Sequence, residues 1–294
     1  MRHAYPEAVE NGFAFLKGHG TENDFVLLPD PDGSVHGDLS ADVVVALCDR
    51  RAGIGADGVI RVVRTEAYDD PDAVAARGEA EWFMDYRNSD GSVSEMCGNG
   101  VRVLARYLAD HQGVDTSRPV PLATRGGIKT LVYEPNGDVT VDMGLAEVFG
   151  DTKVGVGARS WPATNVSMGN PHAVAFVESL ADAGPLLDPP SHDPEDYPHG
   201  VNVEFVVRRA ERHLAMRVHE RGSGETRSCG TGACAVMVAA ALVDGTARGT
   251  TYRVDVPGGT LRVTWTDADR VLLSGPAVIV AEGTVHPGVL KTAR

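Results

Sequence analysis

Short stretches in which apolar and polar positions alternate recur along the chain, and they predict a β-rich protein. Phe13 to Lys17 and Phe25 to Leu28 read as strands on either side of the turn-rich segment Gly18 to Asp24. Asp42 to Asp49 reads as a helix, and the Gly-rich link Arg50 to Gly58 leads into a strand at Val59 to Val63. Trp82 to Arg87 is a further strand, followed by the turn Asn88 to Ser92. In the second half the apolar run Ala173 to Val177 follows the polar turn Met168 to His172. A loop rich in Pro, Asp and His, Asp188 to Gly200, precedes two more strands at Val201 to Val207 and Leu214 to Arg221. The acidic, Ala- and Asp-rich stretch Thr65 to Glu81 is expected to be a surface insertion, and the polar leader 1–12 to be frayed.

Two stretches depart from alternation. Val101 to Leu108 and Ala233 to Val243 are rich in Ala, Leu and Val and lack Pro, which predicts buried helices. Each is introduced by the same device: Met96-Cys97-Gly98-Asn99-Gly100 before the first, Ser228-Cys229-Gly230-Thr231-Gly232 before the second. The cysteines at 97 and 229 stand 132 positions apart, and so do the pairs Gly126-Gly127 and Gly258-Gly259. Each Gly-Gly pair opens a hairpin: Ile128 to Tyr133 with Val139 to Asp142, and Leu261 to Trp265 with Val271 to Leu273. A spacing shared by several features points to one duplicated unit. The expectation is an α+β protein of two pseudo-symmetric domains, each a curved, mostly antiparallel or mixed sheet wrapped around a central helix. The halves are expected at 1–130 and 131–273, with 274–294 returning to complete the first.

At 294 residues the chain can bury one large core or two ordinary ones. Its 43% hydrophobic and 23% charged residues are those of a globular protein. The net charge of −14 argues against nucleic acid or an anionic membrane as partner, since both attract basic surface. No apolar run reaches the roughly 18 residues of a membrane span, and Met1 to Glu10 lacks the apolar middle of a signal peptide. A cytoplasmic location is expected. Four cysteines with no Cys-x-x-Cys pair are not a disulfide scaffold, and the five-residue step from Cys229 to Cys234 does not suit zinc, so no metal is expected. Cys48 and Cys234 lie in apolar surroundings and read as core residues.

The chemistry therefore centres on Cys97 and Cys229. A helix start gathers unpaired N–H groups and the positive end of the helix dipole, which lowers a thiol's pKa and favours an anion. A thiolate can act as general base and a neutral thiol as general acid. On opposite faces of one tetrahedral carbon they would remove a proton from one side and supply one from the other. Helix N-termini aimed at an adjacent carboxylate would stabilise the charge that develops.

The residues carrying this device resemble the diaminopimelate epimerase family. The likeness rests on the cysteine motif around Asn99, on Glu220-Arg221-Gly222-Ser223-Gly224-Glu225-Thr226-Arg227-Ser228-Cys229-Gly230-Thr231-Gly232, and on further motifs nearly end to end. These are Gly20 to Phe25, Gly53 to Gly58, Asn88 to Ser92, Met168 to His172 and Val201-Asn202. The resemblance implies the diaminopimelate epimerase-like fold and a cofactor-independent enzyme, expected as a homodimer. Its substrate would be a small molecule, with LL- and meso-2,6-diaminopimelate interconverted on the route to lysine and peptidoglycan precursors. It implies Cys97 and Cys229 as the acid/base pair, exchanging roles with direction, and His172 and Glu220 as residues that tune them. Asn23, Asn99, Glu220, Gly230 and Thr231, with Gly98 beside them, are implied at the reacting centre. Asn88, Asn170, Asn202 and Arg221 are implied at the distal amino acid end of the substrate. A guanidinium fork suits a carboxylate, and Asn amides suit a group bearing both ammonium and carboxylate. One departure is Gly58, where some members carry a substrate-contacting Gln. Three alternatives remain at this level: a proline racemase-like enzyme, a thiol redox protein cycling the same cysteines, and a non-catalytic small-molecule binding protein. Asn99 and Arg221 speak against the first, the Asn and Arg constellation against the second, and the presence of both cysteines against the third.

Overall fold

A computed structural model describes residues 12–246 and 248–291. The expectation of a frayed leader falls on residues that, up to 11, lie outside this range. The described chain forms two compact units. One takes the residues through Gly20, Asp24–Val139 and those from Ala277 onward; the other takes Thr21–Asn23 and Thr140–Pro276. The expected halves met at 130/131, whereas the units meet at 139/140.

In the first unit, with strands numbered in chain order, β1 (Phe13–Gly20) pairs antiparallel with β18 (Val278–Val285) and also pairs with β2 (Asn23–Pro29). The sheet continues through β3 (Gly58–Arg64), β4 (Trp82–Asn88), β5 (Val120–Ala123) and β6 (Lys129–Tyr133). Helix α1 (Ala41–Cys48) lies between β2 and β3 in sequence, and α3 (Gly98–His111) between β4 and β5. Parallel neighbours need such crossovers. The four residues Phe25–Leu28 are fully buried, as expected of a strand covered on both faces.

The second unit contains β7 (Val139–Leu145), β8 (Glu147–Val156), β9 (Arg159–Ser167), β10 (Pro171–Phe176) and β11 (Ser191–His192). It continues with β12 (Asn202–Ala210), β13 (His213–Glu220), β14 (Gly224–Thr226), β15 (Thr250–Val256), β16 (Gly259–Trp265) and β17 (Arg270–Gly275). Here β7 pairs with β17, which places the strand after β6 in this unit. The pairings β2–β3–β4–β5–β6 run parallel, antiparallel, parallel, antiparallel. The series β10–β12–β13–β15–β16 repeats that order, with α4 (Gly230–Asp244) in the place of α3. The expected architecture, two mixed sheets each around a central helix, is thus what the chain adopts. Helix α4 is apolar on all sides and buried from Gly230 to Gly232 and from there through Ala241, Thr231 excepted at half-burial. Gly245, in the left-handed conformation at φ 59°, ends it, with its N–H returned to Ala241 and Leu242 carbonyls. Among the described residues no helix is long and apolar enough to cross a membrane.

The acidic stretch is not simply a surface insertion. Asp70 caps the short helix α2 (Pro71–Ala75), and Tyr68, Ala73, Ala76 and Ala80 bury against Val63, Phe83 and Ala123. Arg125 ties it down through Asp70 and Asp85, both at 2.8 Å. Alanines interleaved with acids carry too little apolar contrast for the pattern to register as a packed face.

His36 is buried at 2% exposure against the edge of Phe13, with ring centroids 4.7 Å apart. Neither ring nitrogen has a hydrogen-bond partner among the described residues. Burial pulls its pKa down to about 4. The folded chain therefore holds this imidazole neutral while the unfolded chain protonates it below its ordinary value near 6.5. Stability is lost as pH falls from about 6.5 towards 4, by roughly 3 kcal/mol in all. Urea unfolding from pH 7 to 4 is expected to show that loss, and His36→Phe, which keeps a ring and removes the proton site, to flatten it. An unchanged pH slope in the variant would contradict the assignment.

Candidate active site

Both cysteines are N-cap residues. Cys97 caps α3 with φ −136° and ψ 118°, and Cys229 caps α4 with φ −120° and ψ 117°. The repeated Cys-Gly-polar-Gly motif thus gives the same backbone in each unit. The first turn that follows has no room for larger residues. A Cβ at Gly100 would lie 2.8 Å from Met84, and one at Gly232 would lie 2.7 Å from the Glu204 carboxylate and 3.2 Å from Cys229 Sγ.

In the first unit Cys97 is half-buried. Asn99 is buried at the second position of α3, and its Oδ1 accepts a 2.8 Å hydrogen bond from Arg102 Nη2. Arg102 Nη1 also donates to the Gly98 carbonyl at 3.3 Å, so one buried guanidinium fixes the turn behind the cysteine. Asn88 closes its own turn: Nδ2 donates to Ser92 Oγ at 3.0 Å, and its N–H to the Ser92 carbonyl at 2.9 Å. At Gly58 a Cβ would meet the Arg87 carbonyl and the Tyr86 ring at 2.6 Å. Tyr86 occupies the space that a Gln side chain at this position would need.

In the second unit the turn that delivers Asn23 is strained. Thr21 and Glu22 both have positive φ, 49° and 62°, an uncommon state for non-glycine residues. It is held by a buried 2.6 Å hydrogen bond between Thr21 Oγ1 and Ser228 Oγ, and by a 2.6 Å contact from Arg227 Nε to Glu22. Both partners directly precede Cys229 in the chain. A simple hairpin turn would use Asn-Gly here instead.

A continuous set of contacts surrounds Cys229. Its Sγ accepts from the Gly232 N–H at 3.3 Å and meets Thr231 Oγ1 at 3.5 Å. Asn170 Nδ2 donates to Thr231 Oγ1 at 3.4 Å, and Asn170 Oδ1 lies 3.0 Å from His172 Nε2. His172 Nδ1 is 2.7 Å from Glu204 Oε1, and both side chains are fully buried. Asn202 Oδ1 accepts the Arg221 N–H at 2.9 Å and its Nδ2 donates to the Pro171 carbonyl at 3.0 Å, so this amide braces the backbone on either side. Among the described residues the exposed Arg221 guanidinium makes one hydrogen bond, 3.4 Å to the His199 carbonyl, and meets no carboxylate. Glu220 accepts from the Thr226 hydroxyl.

The electrostatics correct one expectation. A helix start was expected to pull the thiol down, but the pKa of Cys229 is raised well above its ordinary value. Burial is the main cause, and the Glu220 and Glu204 carboxylates add to it; the Thr231 and Gly232 hydrogen bonds oppose them without prevailing. Cys229 therefore rests as the neutral thiol, the acid form. Burial likewise raises the Glu220 and Glu204 carboxyls, while their hydrogen-bonding partners oppose the shift. Sequence reasoning passed over Glu204 and Arg102. Each is a charged residue inside an apolar run, in Val203-Glu204-Phe205 and Val101-Arg102-Val103, and that contrast was the available signal.

The "Diaminopimelate epimerase" family model matches residues 15–149 and 164–280. The chain is 63% identical to the diaminopimelate epimerase of Streptomyces coelicolor, over 92% of this chain and 94% of that one. It is 50% identical to that of Thermobifida fusca, over 94% and 99%. A crystal structure of a phenazine biosynthesis protein of the PhzF family from Bacillus anthracis shares the fold, with a TM-score of 0.71 at 15% identity over 94% of this chain and 99% of that one. By the extent of the family match and the identity to its members, the chain belongs to the diaminopimelate epimerase family.

Proposed function

We propose that this chain is an isomerase that interconverts LL- and meso-2,6-diaminopimelate in lysine and peptidoglycan precursor synthesis, using two protein thiols and no cofactor. Membership of the family carries the activity. The observation that carries the mechanism is that Cys97 and Cys229 each stand at a helix N-cap with similar extended backbone dihedrals.

In one direction Cys97 is the thiolate base and Cys229, held neutral by burial, is the acid. The α-C–H bond breaks, its proton passes to the Cys97 sulfur, and its electron pair is delocalised into the adjacent carboxylate. The Cys229 S–H then gives its proton to the opposite face of the carbon. The Cys97 thiol and Cys229 thiolate that remain are the starting state for the reverse reaction. N–H groups of the first turns of α3 and α4, beginning at Gly98 and Gly230, are donors that a developing carboxylate charge can use. Asn23, Asn99 and Thr231 serve the same reacting centre. Glu220 and His172 set the protonation of the thiols. Asn88, Asn170, Asn202 and Arg221 hold the distal amino acid, and the exposed Arg221 guanidinium, which meets no carboxylate among the described residues, supports its place at one. The enzyme would act in the cytoplasm as a homodimer.

Cys97→Ser and Cys229→Ser are each expected to lower kcat by about 10³-fold, within the usual range for a lost acid/base group, with unchanged thermal melting. Near-normal turnover in either variant would refute the two-thiol assignment. Light scattering of the purified protein should give twice the chain mass, and a single-chain mass would remove the dimer.

A further inference from the structure

Glu204 is an anomaly for the mechanism as stated. It sits mid-strand on β12, in register with Val174 of the parallel strand β10, while His172 is in register with Asn202. Its side chain is fully buried, and one oxygen, Oε2, has no hydrogen-bond partner among the described residues. Its other oxygen contacts His172 Nδ1 and lies against the first turn of α4. Glu220 and Cys229 face this pair from the end of β13 and the start of α4, and the Tyr197 hydroxyl donates to the His172 carbonyl at 3.5 Å. A buried carboxylate this poorly solvated is stable only as half of a neutral pair.

Two arrangements make the pair neutral and give every buried hydrogen an acceptor. The carboxylate can face an imidazolium, or the protonated acid can donate to Nδ1 of a neutral ring. In both, Nε2 of His172 carries a hydrogen. A bare carboxylate beside a neutral ring leaves a naked buried charge, and an acid protonated on Oε2 beside an Nδ1–H ring leaves a buried O–H with nothing to accept it. The proton on Nε2 then decides everything downstream. It must point to the oxygen of Asn170, which orients that amide with Nδ2 towards Thr231 Oγ1. Thr231, already accepting, has its own O–H free for Cys229 Sγ.

We infer that Glu204 is a positioning residue: it fixes the hydrogen on His172 Nε2 and, through Asn170 and Thr231, aims a hydroxyl donor at the sulfur of Cys229. The inference deepens the proposed function and rests on it for its effect on turnover. Its effect on the imidazole stands independently. A carboxylate that orients a histidine in this way is a recurrent device for setting the behaviour of the histidine's further partners.

The test uses the intact protein with ¹⁵N-labelled histidine at pH 7.5, the His172 signals being assigned by their loss in His172→Gln. Wild-type His172 should show a protonated Nε2. Glu204→Gln should shift those signals towards a ring exchanging between tautomers and lower kcat about tenfold or more. In the His172→Gln background, Glu204→Gln should cause no further loss. A wild-type His172 with a bare Nε2 would overturn the inference even if the Glu204 variant failed to fold. So would losses that multiply in the double variant, because they would mean Glu204 acts on packing or directly on Cys229 rather than through His172. Absence of epimerisation by the wild type would remove the proposed function instead, and leave the nitrogen spectrum to be read on its own.

Discussion

The structure depends on one requirement: each unit buries the start and most of the length of a helix. A helix N-terminus carries N–H groups with no partner inside the helix, and enclosing them without an acceptor is costly. At both helix starts the chain puts a cysteine at the cap and glycines in the first turn; the Cys229 side chain accepts a cap hydrogen bond and the Cys97 side chain does not. Sulfur is a weak acceptor, and in α4 it takes the Gly232 N–H at 3.3 Å. The glycines let strands and side chains approach where a Cβ would collide with Met84 or Glu204. The donors left over are what an oxyanion needs. The feature that makes the helix starts awkward to bury is the one that suits them to carboxylate chemistry.

Burial also sets the proton inventory of the second unit. Away from water, charge is suppressed, and Cys229, Glu220 and Glu204 all have raised pKa values for that reason first. The helix dipole alone would have favoured a thiolate. Desolvation outweighs it, so the helix start acts on a sulfur that keeps its proton. His172 lies within the same dry cluster, where the side chains have few alternatives to the hydrogen bonds they make.

Much of this was legible in the sequence. The repeated Cys-Gly-polar-Gly motif, its 132-residue spacing and the apolar residues behind it led to two helices in two similar units, because glycine turns and Ala-, Leu- and Val-rich helices leave strong local signals. The capping positions of Cys97 and Cys229 followed from the same motif. What was missed had weaker signals. The Ala- and Asp-rich stretch packs through Ala73, Ala76 and Ala80, whose small side chains barely separate from polar neighbours in hydropathy. The division near 139 depends on β7 pairing with β17, a long-range choice that no local pattern records. The sign of the Cys229 shift depends on how much protein surrounds the sulfur, and only a folded chain supplies that. Tyr86 over Gly58 is likewise a contact between neighbouring strands, not a pattern along one.

The central claim is that two thiols of one chain exchange a proton with opposite faces of one carbon. It is tested most directly by following LL-diaminopimelate by NMR in deuterated water with purified, reduced protein and no additives. The account predicts meso product carrying deuterium at one α-carbon from the first turnovers, since the proton delivered comes from a thiol equilibrated with solvent. Meso product formed without deuterium would contradict it.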